Sequence, residues 1–200
     1  MMTPQRKALV LSFFTVGYNI VEGVVAIIAA LTAGSTALLG FGLDSFVESL
    51  SGSVMIWRFW KHGPNANADE VAEREKKATR FVAYTFFILG AYVTFDASKA
   101  LYVREKPDTS ILGLAIAIAS LIVMPVLFIM KFRLGKSIKS PSLVADSKET
   151  LACVVLSVAL LIGLGAQYLW DHLWWVDSVA ALVIASLIVR EGWETLEDAS

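Results

Sequence analysis

Two carboxylates lie four positions apart in an otherwise apolar stretch of the chain. Asp44 and Glu48 belong to LLGFGLDSFVESLSGSVMIW, residues 38–57, which has the length and composition of a membrane-spanning helix. Acids are costly in lipid, and those inside membrane helices usually mark the paths of ions or protons. Positions i and i+4 share one face of a helix. The pair therefore predicts a cation site inside the membrane.

A later segment of the chain repeats this spacing. In GSTALLGFGLDSFVES and in KSPSLVADSKETLACV, an acid stands nine positions after a serine, and a second potential ligand follows four positions later. The first pair is Asp44 and Glu48, and the second pair is Glu149 and Cys153. The two segments are the second and fifth apolar segments, which cross the membrane in opposite directions. The pattern predicts a weak inverted repeat of helices 1–3 and 4–6.

These four side chains are predicted to meet near the middle of the bilayer. Nine helical residues advance about 14 Å, which is about half the hydrocarbon thickness. Three carboxylates and a thiol on facing helices suit a four-coordinate divalent ion, Zn²⁺ first and Cd²⁺ next. Carboxylates alone favour Mn²⁺ or Fe²⁺, whereas Mg²⁺ needs more water and oxygen ligands. Acids and thiols lose protons before they bind metal, so exchange of metal for protons follows.

Six apolar segments of helical length must position these residues. They are predicted over residues 8–32, 36–60, 80–102, 111–130, 143–169 and 173–193. The chain of 200 residues is 56% hydrophobic and 18% charged, which indicates an all-α integral membrane protein. Because the sixth segment ends close to the last residue, we expect a single six-helix transmembrane domain over residues 1–200, without a soluble C-terminal domain.

Basic residues predict the orientation of these segments. Lys and Arg crowd the N-terminus, the second loop and the fourth loop, KFRLGKSIKS. The positive-inside rule then places these parts and both termini in the cytoplasm, in a chain that crosses the cell (inner) membrane several times. The net charge of −1 argues against nucleic acid as a partner, and the single cysteine excludes a disulfide framework.

Further polar residues are candidates for supporting roles. Asn19 and Glu22 share a face of the first segment, where support of the metal ligands and hydrogen bonding between helices are about equally expected. Asp146 is expected to attract cations at the entrance or to act as a fifth ligand, and Asp177 to cap or pack a helix end. Two isolated loop histidines are weaker ligand candidates, His62 and His172.

The motifs resemble those of the cation diffusion facilitator (CDF) family, and the likeness spans essentially all six segments. LLGFGLDSFVES is similar to the family's helix-two motif, and LVADSKETLAC to its helix-five motif. GYNIVEG is similar to its first helix, and WWVDSVAALVIASLIVREGWETLED to its sixth. The resemblance implies a six-helix membrane domain with cytoplasmic termini. It also implies a transport site formed by Asp44, Glu48, Glu149 and Cys153.

Departures from the family pattern bear on the metal and on assembly. Zinc-transporting members commonly have His and Asp on helix five, where this chain has Glu149 and Cys153, and Glu48 replaces the usual second Asp. The second loop lacks the histidines that carry an accessory metal in some members. The cytoplasmic domain that often stabilises dimers is also missing, so we expect a homodimer held by packing of membrane helices alone.

The site and the resemblance together predict an efflux transporter for divalent transition metals, Zn²⁺ first and Cd²⁺ next, that exchanges metal for protons by alternating access. Its expected partners are membrane lipid, metal ions and protons, without a cofactor or an enzymatic activity. The alternatives are a Mn²⁺ or Fe²⁺ transporter of the same family, a metal-gated channel, a structural membrane protein and an intramembrane aspartyl protease. The protease reading rests on the similarity of GFGLD to a Gly-x-Gly-Asp motif, but the sequence offers no Tyr-Asp partner.

Overall fold

The computed structural model describes residues 3–61, 68–169 and 173–198 of the chain. Their regular secondary structure consists of six helices: α1 (Pro4–Ala33), α2 (Thr36–Lys61), α3 (Ala68–Val103), α4 (Ile111–Ser137), α5 (Pro141–Leu169) and α6 (Val176–Asp198). Among these residues, four stretches are long and apolar enough to cross a membrane: Pro4–Ala33, Thr79–Val103, Ile111–Ser137 and Ser142–Gln167. The prediction of an all-α membrane protein with six helices is confirmed. The weaker ligand candidates His62 and His172 lie outside the described residues.

The largest differences from the predicted segments are the extensions of α3 and α4. α4 continues to Ser137 instead of ending near residue 130, and α3 begins at Ala68 instead of near residue 80. The early part of α3 is charged, and its Glu73 and Lys77 form an exposed ion pair at 2.8 Å. The extension of α4 has a consequence for function, because it carries Lys131 into the helix bundle rather than into a loop.

α2 lies at the centre of the bundle. The most extensive pairwise packing joins α1 to α2, α3 to α6 and α4 to α5, and α2 also contacts α3, α5 and α6. α1 and α2 approach closely at two glycines: a Cβ atom at Gly23 would lie 2.9 Å from the backbone oxygen of Gly42. Small residues permit such close approach between membrane helices. The contact brings Glu22, the neighbour of Gly23, against α2.

Serines cap both helices of the predicted repeat. The hydroxyl of Ser35 accepts a hydrogen bond of 3.1 Å from the N–H of Leu38 at the start of α2. The hydroxyl of Ser140 accepts one of 3.4 Å from the N–H of Leu143 at the start of α5. Serine is a favoured N-cap because its oxygen satisfies a free N–H of the first turn. The acids nine positions later therefore lie the same number of turns inside their helices.

Asp177 stabilises the start of α2 from the start of α6. Its carboxylate accepts hydrogen bonds from the hydroxyl of Ser35 at 2.5 Å and from the N–H of Thr36 at 2.9 Å. A carboxylate at a helix N-terminus also interacts favourably with the helix dipole. The predicted capping role of Asp177 is confirmed, and it fastens α2 to α6 at one end of the bundle.

Candidate cation site

The two helices that carry the predicted ligands run in opposite directions. Arg58, near the end of α2, donates a hydrogen bond to Ser142, near the start of α5. α2 and α5 are also in contact deeper in the bundle, where Thr150 donates a hydrogen bond to Glu48. Because the capping serine of each helix precedes its first predicted ligand by nine positions, the two ligand pairs enter the bundle from opposite ends to a similar depth.

All four predicted ligands are buried within the bundle. Asp44 is 5% exposed and Glu149 7%, while Glu48 and Cys153 are 2% and 1% exposed. Burying an ionised carboxylate is costly unless a cation or hydrogen-bond donors compensate its charge. Three such groups on two helices therefore need a cation, a hydrogen-bond donor or a proton inside the bundle.

The described conformation holds these side chains apart. Within the described ranges, no group of three or more His, Cys, Asp or Glu side chains is close enough to hold a metal ion. Glu48 accepts a hydrogen bond of 2.8 Å from Thr150 on α5, and the thiol of Cys153 lies 3.9 Å from Oε2 of Glu22 on α1. The predicted ligands face one region of the bundle without forming a closed coordination shell.

Three buried glutamates each keep one oxygen without a hydrogen-bond partner. These atoms are Oε1 of Glu22, Oε2 of Glu48 and Oε2 of Glu149, and none accepts a hydrogen bond from any residue that the structure describes. Most buried polar atoms in proteins have a partner, so each exception needs an explanation. The three oxygens come from α1, α2 and α5, and carboxylate oxygens are ligands for divalent cations.

The supporting residues predicted on α1 face the same region. Glu22 is 1% exposed, and its Oε2 accepts a hydrogen bond of 3.0 Å from the hydroxyl of Ser45 on α2. Asn19 is fully buried, and neither polar atom of its amide finds a hydrogen-bond partner in the described part of the chain. The structure thus places both side chains inside the bundle. Their contact with metal stays a prediction.

α4 brings Lys131 to the site. The sequence analysis assigned this lysine to the fourth loop. Lys131 is fully buried, and its Nζ lies 2.8 Å from Oδ2 of Asp146 on α5. The same nitrogen donates a hydrogen bond of 2.8 Å to the hydroxyl of Thr150. Asp146, predicted as an entrance residue or a fifth ligand, therefore binds an ammonium group in this conformation.

The helical spacing of α4 contained a signal for this lysine. The buried positions of α4 recur every three or four residues, at Ala117, Ser120, Met124, Leu127 and Lys131. A buried stripe with this period is typical of a helix face that points to the protein interior. Continuing the stripe past residue 130 would have placed Lys131 inside.

α6 adds a further acid that the sequence analysis did not assign. Glu191 interacts electrostatically with Asp44, Glu48 and Glu149. Clustered charge of one sign in a region of low dielectric constant attracts ions of the opposite sign. Among the described residues, this region of the bundle therefore combines several acids with the ammonium group of Lys131.

Comparison with known proteins agrees with this reading. A family model described as the cation efflux transmembrane domain matches residues 10–200, so the chain belongs to the cation efflux family. This confirms the resemblance to CDF proteins and the prediction of a transporter rather than an enzyme. The protease alternative is thereby excluded.

Relatives come from animals and bacteria. Transmembrane protein 163 of Xenopus laevis is 24% identical over 194 residues, which are 97% of this chain and 68% of that protein. Manganese efflux system protein MneS of Bacillus subtilis (strain 168) is 25% identical over 127 residues, which are 63% of this chain and 43% of that protein. Cation-efflux pump FieF of Shewanella oneidensis is 22% identical over 174 residues, which are 85% of this chain and 58% of that protein.

Proposed function

From its membership of the cation efflux family, we propose that this chain exports a divalent transition metal through a site formed by Asp44, Glu48, Glu149 and Cys153. The observation that carries the proposal is the presence of an unpartnered carboxylate oxygen on each of Glu22, Glu48 and Glu149, which belong to α1, α2 and α5. A dication would satisfy these atoms and offset their negative charge. A role in interhelical hydrogen bonding alone would leave those three oxygens without partners.

Zn²⁺ is the first candidate for the transported ion, and Cd²⁺ the second. Both accept a thiolate together with oxygen ligands, and Zn²⁺ prefers four ligands in a tetrahedral arrangement. Cys153 is 1% exposed and lies one helical turn beyond Glu149 on the same face of α5. By the resemblance to zinc-transporting members of the family, Cys153 corresponds to the Asp that they commonly have on helix five.

Mn²⁺ is the alternative, and two observations favour it. The Bacillus subtilis relative is named a manganese efflux system protein. The candidate site is also rich in carboxylates, and oxygen ligands suit Mn²⁺. Whether the thiol binds the ion distinguishes Mn²⁺ from the other candidates, since a thiolate ligand favours Zn²⁺ and Cd²⁺.

Transport is proposed to exchange metal for protons by alternating access. The carboxylates and the thiol must be free of protons to bind a metal, so loading releases protons and unloading takes them up. For both oxygens of Glu48 to bind the metal, Glu48 must exchange its bond with Thr150 for a bond to metal. A shift of α2 relative to α5 is the movement that this exchange requires, because the two side chains belong to these helices.

The protein is further proposed to be a homodimer with both termini in the cytoplasm. Gly113 and Ala117 of α4 are buried within the protomer, whereas the small residues Ala91, Thr94 and Ser98 of α3 are exposed. Small exposed residues permit close contact between membrane helices. Light scattering should find two chains per detergent particle. A single chain at every detergent concentration, still active after reconstitution, would contradict the dimer.

A metal screen in proteoliposomes tests the proposed function. Zn²⁺, Cd²⁺, Mn²⁺ and Mg²⁺ are supplied separately to vesicles that contain a metal-sensitive dye, with and without an imposed pH gradient. We expect Zn²⁺ flux above Mn²⁺ flux, no Mg²⁺ flux, and acceleration when protons are supplied on the side opposite the metal. Absence of flux for every metal contradicts the proposal, and flux indifferent to the gradient favours a channel.

A further inference from the structure

Lys131 is placed where a cation transporter would not be expected to keep a positive charge. The ammonium group has no exposed surface and pairs with Asp146 at 2.8 Å. It also donates to Thr150, whose hydroxyl donates in turn to Oε1 of Glu48 at 2.8 Å. The chain of contacts joins α4, α5 and α2 and ends on a predicted metal ligand.

We propose that Lys131 is a positioning residue that holds Glu48 in its hydrogen bond with Thr150 and sets the affinity of the site for metal. The inference rests on the proposed transport function. In the described conformation the ammonium group partly offsets the charge of Asp146 and Glu48. A dication that approaches these acids is repelled by the ammonium group and competes with it for the same carboxylates.

The contacts of Glu48 indicate how the competition works. One of its oxygens is held through Thr150, while Oε2 has no hydrogen-bond partner among the described residues. Metal therefore gains one oxygen at once and gains the second only when the bond to Thr150 breaks. When Thr150, itself bound by Lys131, donates to Glu48 again, the restored hydrogen bond favours release of the metal. Lys131 thus weakens binding and speeds turnover.

If the positive charge of Lys131 sets the affinity for metal, substitutions of Lys131 and of Asp146 should change the apparent affinity in opposite directions. Lys131→Met removes the repulsion, so the KM for Zn²⁺ and for Mn²⁺ should fall about tenfold, as about 1.4 kcal/mol would produce. kcat should fall as well, because release is slower. Asp146→Asn leaves the ammonium group without its partner, so KM should rise by a similar factor. A purely structural pair would shift both variants in the same direction.

Three controls complete the experiment. Lys131→Arg retains the charge and should keep KM close to that of the unmodified protein. Lys131→Met combined with Asp146→Asn removes both charges of the ion pair, should fold more readily than either single variant, and should return KM to within about threefold of the unmodified protein. Lys136→Met removes an exposed charge from the same helix and should change nothing.

The possible outcomes separate this inference from the proposed function. Absence of metal flux in the unmodified protein overturns both. Flux in the unmodified protein, with equal KM in Lys131→Met and Asp146→Asn or with shifts in one direction, overturns the role of Lys131 alone. Opposite shifts that the double variant cancels support it.

A second, independent observation concerns a groove between α1 and α4 on the outside of the bundle. Its volume is about 830 Å³, which lies within the range of ligand pockets. Its apolar lining includes Val10, Phe14, Ile122 and Met130, and each of these side chains is more than half exposed. Lys7 and Arg133 line the same groove. In the described part of the chain neither cation forms an ion pair.

The dimensions of the groove match one leaflet of a membrane. From Ile122 to Arg133 α4 advances about 16 Å, which is about half the hydrocarbon thickness. The basic pair therefore lies about one acyl-chain length from the deepest lining residue. The positive-inside rule places this end of α1 and α4 at the cytoplasmic surface, where anionic lipids bind basic pockets between membrane helices.

We infer that the groove binds an anionic phospholipid of the cytoplasmic leaflet. An acyl chain would lie against the apolar wall, and the phosphate would contact Lys7 and Arg133. Arginine suits a phosphate because its guanidinium group can donate two parallel hydrogen bonds to it. A zwitterionic lipid fills the apolar wall equally well but offsets less of the basic charge.

Native mass spectrometry tests the lipid site. The protein is exchanged into detergent with equimolar phosphatidylglycerol and phosphatidylcholine of identical chains, and we expect preferential retention of one phosphatidylglycerol per chain. Lys7→Gln combined with Arg133→Gln should abolish the preference, whereas Lys136→Gln, at the same end of α4 but outside the groove, should keep it. Equal retention of the two lipids, or an unchanged preference in the double variant, overturns the site. So does a lipid-free dimer that the double variant dissociates, because a second chain would then cover the groove.

Discussion

The thiol of Cys153 on α5 lies 3.9 Å from a carboxylate oxygen of Glu22 on α1. This contact joins the residue that departs most from the family pattern to a carboxylate on another helix. It places a soft sulfur ligand beside a hard oxygen ligand in a buried region. The selectivity of the site for metals is expected to depend on whether both atoms, or only the oxygen, reach the ion.

Substitution of Cys153 tests the role of the sulfur. Cys153→Asp keeps a negative ligand but exchanges sulfur for oxygen, so Cd²⁺ flux should fall more than Zn²⁺ flux and Mn²⁺ flux should rise. Cys153→Ser should weaken transport of all three metals, because a neutral hydroxyl is a poor ligand. The ratio of Cd²⁺ flux to Zn²⁺ flux is the quantity to measure. An unchanged ratio in the Ser and Ala variants, with an unfolded Asp variant, would mean that Cys153 only packs.

Substitution of Glu22 separates a ligand from a structural hydrogen bond. Glu22→Gln removes a negative charge from the site and should lower kcat/KM for the transported metal about ten- to a hundredfold. Ser45→Ala removes only the hydroxyl that donates to Glu22 and should have a smaller effect. Flux measurements on both variants decide the question. Equal losses would assign Glu22 to helix packing rather than to metal.

Transport should depend on the pH of the side from which metal binds. Protons compete with metal for the carboxylates and the thiol, so flux should decline as that pH is lowered from about 8 to about 6. Lower pH on the opposite side should accelerate flux, because protons there promote release. Stopped-flow dye measurements with each side buffered separately would show these opposite trends. Constant flux over this range would favour a channel.

Asp177 should contribute to stability without affecting the apparent affinity for metal. Asp177→Ala removes the acceptor for Ser35 and Thr36, so the protein should lose about 1–2 kcal/mol of stability. Thermal unfolding in detergent measures the loss, and metal flux per folded protein provides KM. Asp177→Asn retains an acceptor oxygen and should lose less. A tenfold change in KM for either variant would instead connect Asp177 to transport.

Spacing and composition predict much of this fold and of its candidate site. The number of helices follows from six apolar segments, and the burial of the four predicted ligands follows from acids and a thiol at i and i+4 in apolar surroundings. The matching serines also have a physical meaning, because Ser35 and Ser140 both cap their helices. A cap sets where a helix begins, and so it sets the depth of the residues that follow.

The contacts of Lys131 could not be predicted from spacing and composition. A lysine that follows an apolar segment is usually solvated, and the positive-inside rule assigns it to the cytoplasm. Its burial depends on Asp146 and Thr150, which lie on the next helix. A single sequence does not indicate which acid approaches which base across a helix interface. For the same reason, the spacing did not predict that Glu48 would be bound by Thr150 instead of lying beside the other predicted ligands.

Metal flux through Asp44→Ala and Glu149→Ala tests the central claim most directly. The two residues lie on antiparallel helices, and each supplies a carboxylate to the proposed site. Both variants, reconstituted at equal amounts of folded protein, should lose metal flux while their helical content stays that of the unmodified protein. Asp96→Asn, a substitution of a half-buried acid on α3, serves as the control and should transport normally. Transport at the unmodified rate by either folded alanine variant would contradict the assignment of the site.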